Sequence, residues 1–188
     1  KNGIMEEMLI IAGFGGQGVQ LIGQTLVKAG MEEGKEVSFL PSYGAEMRGG
    51  TSNCHVIISD EPICSPIVNE ASCVMALNRP SLDKFESAVV AGGTLLINSS
   101  LIDRKAERTD IEALYVPAND LAQEAGNLRT ANMVMLGAYI GVSGAVSVDA
   151  VMENLKKTFG ERRAHLLPVN RVAIEKGIEC VRQQRAKA

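Results

Sequence analysis

The sequence predicts a single α/β domain, and three observations lead to that fold class. The chain has 188 residues, of which 46% are hydrophobic, so it can bury one core and is too short for two substantial domains. Short apolar runs rich in β-forming residues recur through the first two thirds of the chain, interleaved with segments of helical spacing. A glycine-rich loop joins the first apolar run to the first helical segment, as in many parallel α/β sheets.

The first three elements form a β–α–β unit. Residues 8–13 (MLIIAG) are an apolar run closed by glycine, which predicts a buried strand. Apolar residues then recur at helical spacing from Val19 until Gly34, and residues 37–40 (VSFL) predict a second strand that ends at Pro41. Because a helix crosses over between them, the two strands are expected to be parallel.

The later elements continue the same pattern. Further strands are predicted at residues 53–59, 72–77, 94–98 and 113–116. A short helix is predicted after Asn78 or Ser81, either of which can cap it, and another at residues 121–125, capped by Asn119 or Asp120. Three longer helices are predicted at residues 131–142, 148–159 and 169–184. The domain is expected to occupy residues 8–188, and residues 1–7 are interpreted as a leader or an expression remnant.

Composition argues against several classes of protein. No apolar run reaches the roughly 18 residues that span a bilayer, and the N-terminus lacks a secretory h-region, so we expect a cytoplasmic chain with no membrane contact. The four cysteines form no CxxC pair, which argues against an iron–sulfur cluster, a structural zinc or a disulfide framework in this chain. Aromatic residues make up 4% with no Trp, so the stacking surface that single-stranded nucleic acid needs is weak.

Charge is unevenly distributed along the chain. Residues 156–188 hold nine Lys or Arg against three Glu, although the whole chain has a net charge of −3. A solvated amphipathic helix explains this pattern, and so does docking to an acidic partner surface. Nucleic acid is not expected as a partner, because no motif supports it.

The glycine loop is the first candidate site. Gly13, Gly15 and Gly18 satisfy GxGxxG between a strand and a helix, where backbone N–H groups and the helix dipole favour an anion. A nicotinamide cofactor also requires an acidic residue at the end of the second strand, where none is found, and Glu36 precedes that strand. Binding of an anionic ligand or cofactor tail and simple strand–helix packing both remain open as roles for the loop.

The second candidate is the glycine-rich connection at residues 42–50. In a doubly wound sheet this connection would lie beside the glycine loop, so that both border one crevice. Arg48, next to Gly49 and Gly50, can offer a forked guanidinium to a phosphate or carboxylate. The alternative is that Arg48 binds loop carbonyls or pairs with Glu46.

Residues for difficult chemistry are missing, and no catalytic residue is predicted. The sequence contains no Gly-Asp-Gly segment typical of a thiamine diphosphate site, no P-loop and no GxSxG. His55 lies within a strand and is interpreted as a core residue, and His165 lies in a basic segment. Glycines 137, 141 and 144 interrupt a helix, which indicates close backbone packing, either within the domain or with another subunit.

Four segments together resemble the gamma subunit of 2-oxoacid:ferredoxin oxidoreductases. They are IAGFGGQGVQLIGQTLVKAG, PSYGAEMRGGTSNCHVIIS, GNLRTANMVMLGA and VNRVAIEKGIE, and they occur in the family's order over nearly the whole chain. The resemblance implies a three-layer α/β/α domain with a mostly parallel sheet. It also implies partners: alpha, beta and ferredoxin-like delta subunits, with ferredoxin as the electron acceptor. Thiamine diphosphate, Mg and [4Fe–4S] clusters would lie in those subunits, and the isolated chain could form a homodimer.

The resemblance associates this subunit with assembly and with the approach of coenzyme A as a cosubstrate. The candidate binding residues are then Gly13, Gly15, Gly16, Gln17, Gly18, Tyr43, Arg48, Gly49 and Gly50. Backbone or amide donors of Gly15, Gly16, Gln17 and Gly18 would contact the coenzyme A phosphates, with Arg48 as the charge partner.

The substrate indicated by the resemblance is a 2-oxoacid. The PSYGAEMRGGTSNC segment is more similar to the 2-oxoglutarate synthase branch than to the pyruvate branch, and branched-chain and indolepyruvate enzymes carry related domains. A free-standing dinucleotide-binding protein is the alternative, and the missing ribose-binding carboxylate argues against it.

Overall fold

The computed structural model describes residues 3–43 and 51–188, which form a sheet flanked by helices. The strands are β1 (Glu6–Phe14), β2 (Glu36–Tyr43), β3 (Thr51–Ser59), β4 (Ala71–Ala76), β5 (Val89–Asn98) and β6 (Glu112–Val116). The α-helices are α1 (Val19–Glu32), α2 (Arg79–Phe85), α3 (Ala118–Ala125), α4 (Ala131–Ser143), α5 (Val148–Phe159) and α6 (Leu167–Lys187). Every strand and helix predicted from the sequence is present, with ends shifted by a few residues.

The sheet has the order β2-β3-β1-β4-β5-β6 and is mostly parallel. β4 pairs in parallel with β1 and β5, and β6 pairs in parallel with β5, whereas β3 is antiparallel to both of its neighbours. β1 and β2 therefore point the same way, as their crossover predicts. They are not neighbours, however, because β3 returns between them.

Two apolar clusters on opposite faces of the sheet form the core, so the domain has three layers. One face packs against α1 and α3–α6, and its cluster includes Leu9, Ile11 and Val134. The opposite face is thinner, where Ile10 and Ile97 pack against Leu82 of α2 and the neighbouring connections. The predicted three-layer α/β/α sandwich with a mostly parallel sheet is confirmed. No helix in the described ranges is both long enough and apolar enough to cross a bilayer.

The cap of α2 follows the prediction, but that of α3 does not. Asn78 Oδ1 accepts a hydrogen bond from Ser81 N at 2.9 Å. α3 begins at Ala118, so the expected cap residues lie inside its first turn. Its free N–H groups instead donate to the side chains of Asn98 and Ser100 at the end of β5, at 3.2 Å.

The glycines of α4 pack against α6 of the same domain. A Cβ atom on Gly137 would lie 2.0 Å from the carbonyl oxygen of Ile174, and one on Gly177 would lie 1.9 Å from that of Val134. The two backbones are thus in direct contact, and Gly141 faces the same helix. The second subunit considered from the sequence is excluded from this face, because α6 already occupies it.

The end of the basic C-terminal helix is attached to the sheet. Arg185 binds both carboxylate oxygens of Glu112 on β6, at 2.7 and 3.1 Å. The Gln184 amide bonds the backbone of Tyr115 in both directions, donating to its oxygen and accepting from its nitrogen. Gln184 thereby covers part of the free edge of β6, which limits pairing with another strand.

Candidate functional site

The glycine loop divides into a packed part and an open part. Gly13 and Gly18 have no room for a side chain, because a Cβ atom there would lie 2.9 Å from Leu77 Cβ and 2.5 Å from Asn132 Nδ2 respectively. Gly15 and Gly16, in contrast, are exposed, and a Cβ atom on either would have no neighbour within 4 Å; Gly16 also has the left-handed φ of +88°. Strand–helix packing therefore explains the outer glycines, and the inner ones leave backbone accessible to a ligand.

The Gln17 side chain is turned into the protein. Its Oε1 accepts a hydrogen bond from Phe14 N at 2.6 Å, and its Nε2 donates to the carbonyl oxygen of Leu77 at 3.1 Å. These bonds join the loop to the end of β4. The Gln17 amide that was predicted to contact a ligand thus holds the loop in place, while the backbone N–H groups of Gly15 and Gly16 form no hydrogen bond with the described residues.

Two helices begin at this edge without acidic or capping side chains. Neither α1, which starts after Gly18, nor α4, which starts after Thr130, has a side-chain cap or an acidic residue in its first turn. α5, in contrast, has a Ser147 cap and Asp149 in its first turn. The free N–H groups of α1 and the dipoles of both helices create a positive potential at the carboxyl edge of the sheet, although Met133 N of α4 is already bonded to Asn132 Oδ1.

A cleft of about 180 Å³ lies where these helices begin. Its lining residues are Gly16, Gln17, Leu77, Asn98, Leu101, Asn119, Leu128, Arg129, Ala131 and Asn132. Five of them lie at or just after the carboxyl ends of β1, β4 and β5, and the other five come from the starts of α3 and α4 and the turn before α4. α1 and α2 leave β1 and β4 toward opposite faces. This is the switch point at which open α/β sheets bind ligands.

The chemistry of the cleft suits an anion. Among the residues that the structure describes, its lining contains one charged side chain, Arg129, together with four amide side chains and no carboxylate. Asn98 is buried, and its Nδ2 donates to Asn119 Oδ1 at 2.9 Å, which orients the second amide. Asn132 Oδ1 accepts from Met133 N at 2.9 Å, which leaves its Nδ2 beside Gly18.

Arg129 and Asn132 were not among the candidates derived from the sequence. Both belong to the GNLRTANMVMLGA segment, which carried the family resemblance and received no role. They lie more than 100 residues from the glycine loop in the sequence, and only the sheet order brings them to it.

The second predicted loop begins at the same edge. Tyr43 is in register with Ser52 across the sheet, and Ser52 is in register with Gly13. The backbone at Tyr43 therefore lies level with the start of the glycine loop. Arg48, Gly49 and Gly50 lie outside the described residues.

His55 and Cys54 have structural environments. His55 Nδ1 accepts a hydrogen bond from Val68 N at 3.0 Å, and burial lowers the pKa of the imidazole. Burial raises the pKa of the Cys54 thiol to about 12, so it stays protonated. His165 is exposed. Within residues 3–43 and 51–188, no three His, Cys, Asp or Glu side chains are grouped to hold a metal.

Sequence comparisons identify relatives over almost the whole chain. The family model described as pyruvate ferredoxin/flavodoxin oxidoreductase matches residues 8–180. The ketoisovalerate oxidoreductase subunit VorA of Methanothermobacter thermautotrophicus is 40% identical over 92% of this chain, which spans only 36% of that protein. The 2-oxoglutarate synthase subunit KorC of Methanocaldococcus jannaschii is 32% identical, over 95% of this chain and 96% of that subunit.

Solved structures agree with these relatives. The gamma subunit of a keto/oxoacid ferredoxin oxidoreductase from Geobacter sulfurreducens is 29% identical, with a TM-score of 0.80 over 94% of this chain and 99% of that one. A 2-oxoglutarate:ferredoxin oxidoreductase from Magnetococcus marinus, solved with 2-oxoglutarate, coenzyme A and succinyl-CoA bound, has a TM-score of 0.86 at 23% identity. The match covers 95% of this chain and 31% of the Magnetococcus chain. At this identity it shows similarity of fold.

Proposed function

We propose, since the chain belongs to the pyruvate ferredoxin/flavodoxin oxidoreductase family, that it acts as the gamma subunit of a 2-oxoacid:ferredoxin oxidoreductase. Relatives named as subunits of three such enzymes support the role, as does a gamma subunit of the same fold. The alternative of a free-standing dinucleotide-binding protein is not favoured, because β2 ends without an acidic side chain for a ribose. We place the complex in the cytoplasm, with alpha, beta and delta subunits and ferredoxin as its partners.

The role we propose for the cleft is to bind an anionic part of coenzyme A. The observation that carries this proposal is the convergence of the N-termini of α1 and α4 on a cleft whose described lining residues include Arg129 and four amides and no carboxylate. At about 180 Å³ the cleft is smaller than the roughly 300 Å³ of a site for a whole drug-sized ligand. It therefore suits a phosphate group, and the rest of the molecule would extend beyond this chain.

Unpaired polar atoms support a polar ligand or water near the same edge. Gln20 Oε1, Asn78 Nδ2 and Ser81 Oγ are buried and lack a hydrogen-bond partner among the residues that the structure describes. They lie in or just before the first turns of α1 and α2, which flank the switch point. Buried polar atoms are rarely left unpaired in folded proteins, so these atoms mark this region for a ligand or ordered water.

In this account the chain binds and orients, and its partners carry out the chemistry. Backbone N–H groups of Gly15 and Gly16 and the Arg129 guanidinium donate to the anion, and Gln17 holds the loop in position. Arg48 remains our proposed second cation, and Arg48→Ala should weaken coenzyme A binding. Thiamine diphosphate and [4Fe–4S] clusters, which we assign to the partner subunits, supply decarboxylation and electron transfer.

We propose 2-oxoglutarate as the substrate, because the sequence of the PSYGAEMRGGTSNC segment is more similar to the 2-oxoglutarate synthase branch than to the pyruvate branch. A branched-chain 2-oxoacid is the second candidate, favoured by the 40% identity to VorA. Substrate contacts would lie in the partner subunits, so the choice has to be measured on the complex.

The test is anaerobic affinity purification of the chain from the cells that express it. The copurified proteins are identified by mass spectrometry, and viologen reduction is followed with 2-oxoglutarate, ketoisovalerate and pyruvate in turn. We expect thiamine diphosphate and iron–sulfur subunits to copurify, with activity that depends on coenzyme A and is highest with 2-oxoglutarate. A chain that purifies alone and without activity would contradict the proposed role, and highest activity with ketoisovalerate would correct only the substrate.

A further inference from the structure

The amide side chains of the carboxyl-edge cleft share one orientation. They belong to Gln17, Asn98, Asn119 and Asn132. The side-chain oxygen of each accepts a hydrogen bond from an N–H group of the protein. What these side chains can still offer to a ligand is therefore an N–H group, which suits an anion better than a ligand that donates.

Asn98 sets this orientation for its neighbour through a chain of hydrogen bonds. It lies at the end of β5 and is 3% exposed. Its Oδ1 accepts from Ser100 N and Ala118 N, both at 3.2 Å. Because a backbone N–H can only donate, the Asn98 oxygen has to face these two groups, and its Nδ2 faces Asn119. Asn119 meets that donor with its own oxygen at 2.9 Å.

The nitrogen is therefore the free end of the Asn119 amide. Asn119 is half-buried in the lining of the cleft, and its Nδ2 forms no hydrogen bond with any residue that the structure describes. Its backbone is held as well, since Asn119 N donates to Ser100 Oγ at 3.2 Å. Together with the Arg129 guanidinium, this Nδ2 gives the cleft a second side-chain donor for an anion.

We propose that Asn98 is a positioning residue, which occupies the Asn119 oxygen and so keeps Asn119 Nδ2 available to the anion in the cleft. The inference rests on the proposed function, which supplies that anion as part of coenzyme A. An Asn119 amide turned the other way would place its oxygen against the anion, and the two would repel each other. Asn98 thus acts on the ligand through Asn119.

The variant Asn98→Asp reverses this arrangement with little change in shape. One oxygen of the new carboxylate can still accept from Ser100 N and Ala118 N, but the other stands where Nδ2 donated to Asn119. Because a carboxylate only accepts, Asn119 has to turn its nitrogen toward it. The Asn119 oxygen then takes the place of the donor in the cleft.

The experiment measures kcat and the KM for coenzyme A of the assembled enzyme with Asn98→Asp, Asn119→Ala or both. We expect either single variant to raise this KM about tenfold without changing kcat at saturating coenzyme A, as for the loss of one hydrogen bond to a charged group. The double variant should exceed the KM of Asn119→Ala by less than about threefold, because the two residues act as one unit. The matched control is Asn154→Asp, which makes the same change at a buried amide of α5 and should keep the parent's KM.

The outcomes separate this inference from the proposed function. If Arg129→Ala leaves the KM for coenzyme A unchanged, the proposed site fails and the inference fails with it. If Arg129→Ala raises this KM and Asn119→Ala does not, only the inference is overturned. It is also overturned if Asn98→Asp raises the KM equally with and without the Asn119 amide, since the new charge would then act on the ligand directly.

A second variant covers the case in which thermal melting shows that Asn98→Asp does not fold. Asn98→Ala introduces no charge and frees the Asn119 amide to turn. We expect the KM for coenzyme A to rise about threefold in this variant, and only while Asn119 is present, because the donor is no longer held in place. An unchanged KM in a folded Asn98→Ala enzyme would overturn the inference.

Discussion

The contact between α4 and α6 can be tested by one methyl group at Gly137. In Gly137→Ala the new Cβ would lie 2.0 Å from the Ile174 carbonyl oxygen, at least 1 Å inside the 3.0 Å below which such contacts essentially do not occur. Backbone atoms stand on both sides, so no change of side-chain rotamer relieves the overlap. The two helices must separate, and the buried side chains along them lose contact.

The expected cost follows from two opposing effects. Overpacking costs about 1–3 kcal/mol, and we take about 4 kcal/mol because the overlap involves two backbones. Alanine recovers about 1 kcal/mol of helix propensity relative to glycine. The net loss of about 3 kcal/mol corresponds to a Tm lower by about 6–12 °C for a domain of this size.

The assay is thermal and urea unfolding of the purified chain, followed by circular dichroism. Gly15→Ala is the control, because its Cβ would enter open space, and its stability should change by less than about 0.5 kcal/mol. An unchanged or higher Tm for Gly137→Ala would refute direct backbone packing of α4 on α6. It would also reopen this face as a subunit contact.

Three further predictions concern single side chains. Burial raises the pKa of Glu7, so ionising this side chain lowers the stability of the fold as pH rises through that pKa. Glu7→Gln should therefore melt higher than the parent at about pH 8, and the gain should shrink as pH falls toward about 4.5. An equal Tm for variant and parent at all pH values would contradict this. Arg185→Ala removes the ion pair with Glu112, and the expected loss of about 1 kcal/mol in urea unfolding should shrink in about 1 M salt. Gln17→Ala removes two bonds that hold the glycine loop, so amide hydrogen exchange should accelerate there while β6 is unaffected.

Local sequence patterns predicted most of the elements, because each element depends on neighbouring residues. Periodicity identified α1 and α5, and Asn78 identified the start of α2. Strand order was not accessible in the same way. β3 lies between β1 and β2 because its backbone pairs on both sides, and side-chain patterns carry no information on which strand is the neighbour.

The candidate site could be predicted only in part, because some of its residues are neighbours in the sequence and others are brought together by the fold. The glycine loop is local and could be recognised from its spacing, but Arg129 and Asn132 reach it only through the packing of α4 against α1 and the sheet. Gln17 illustrates a second limit of prediction from sequence. The same loop sequence allows its side-chain amide to face either a ligand or the protein interior. Here it bonds Leu77, and the contact is long-range.

We propose that the carboxyl-edge cleft binds an anionic group of coenzyme A in the assembled enzyme. The most direct measurement is the KM for coenzyme A of complexes that contain Arg129→Ala, with Arg182→Ala as the exposed control. We predict that the KM for coenzyme A rises about tenfold, because the loss of a charge-assisted hydrogen bond of about 1.4 kcal/mol corresponds to a factor of ten. The KM for the 2-oxoacid should be unchanged. A fully assembled Arg129→Ala complex with the parent's KM for coenzyme A would contradict the claim.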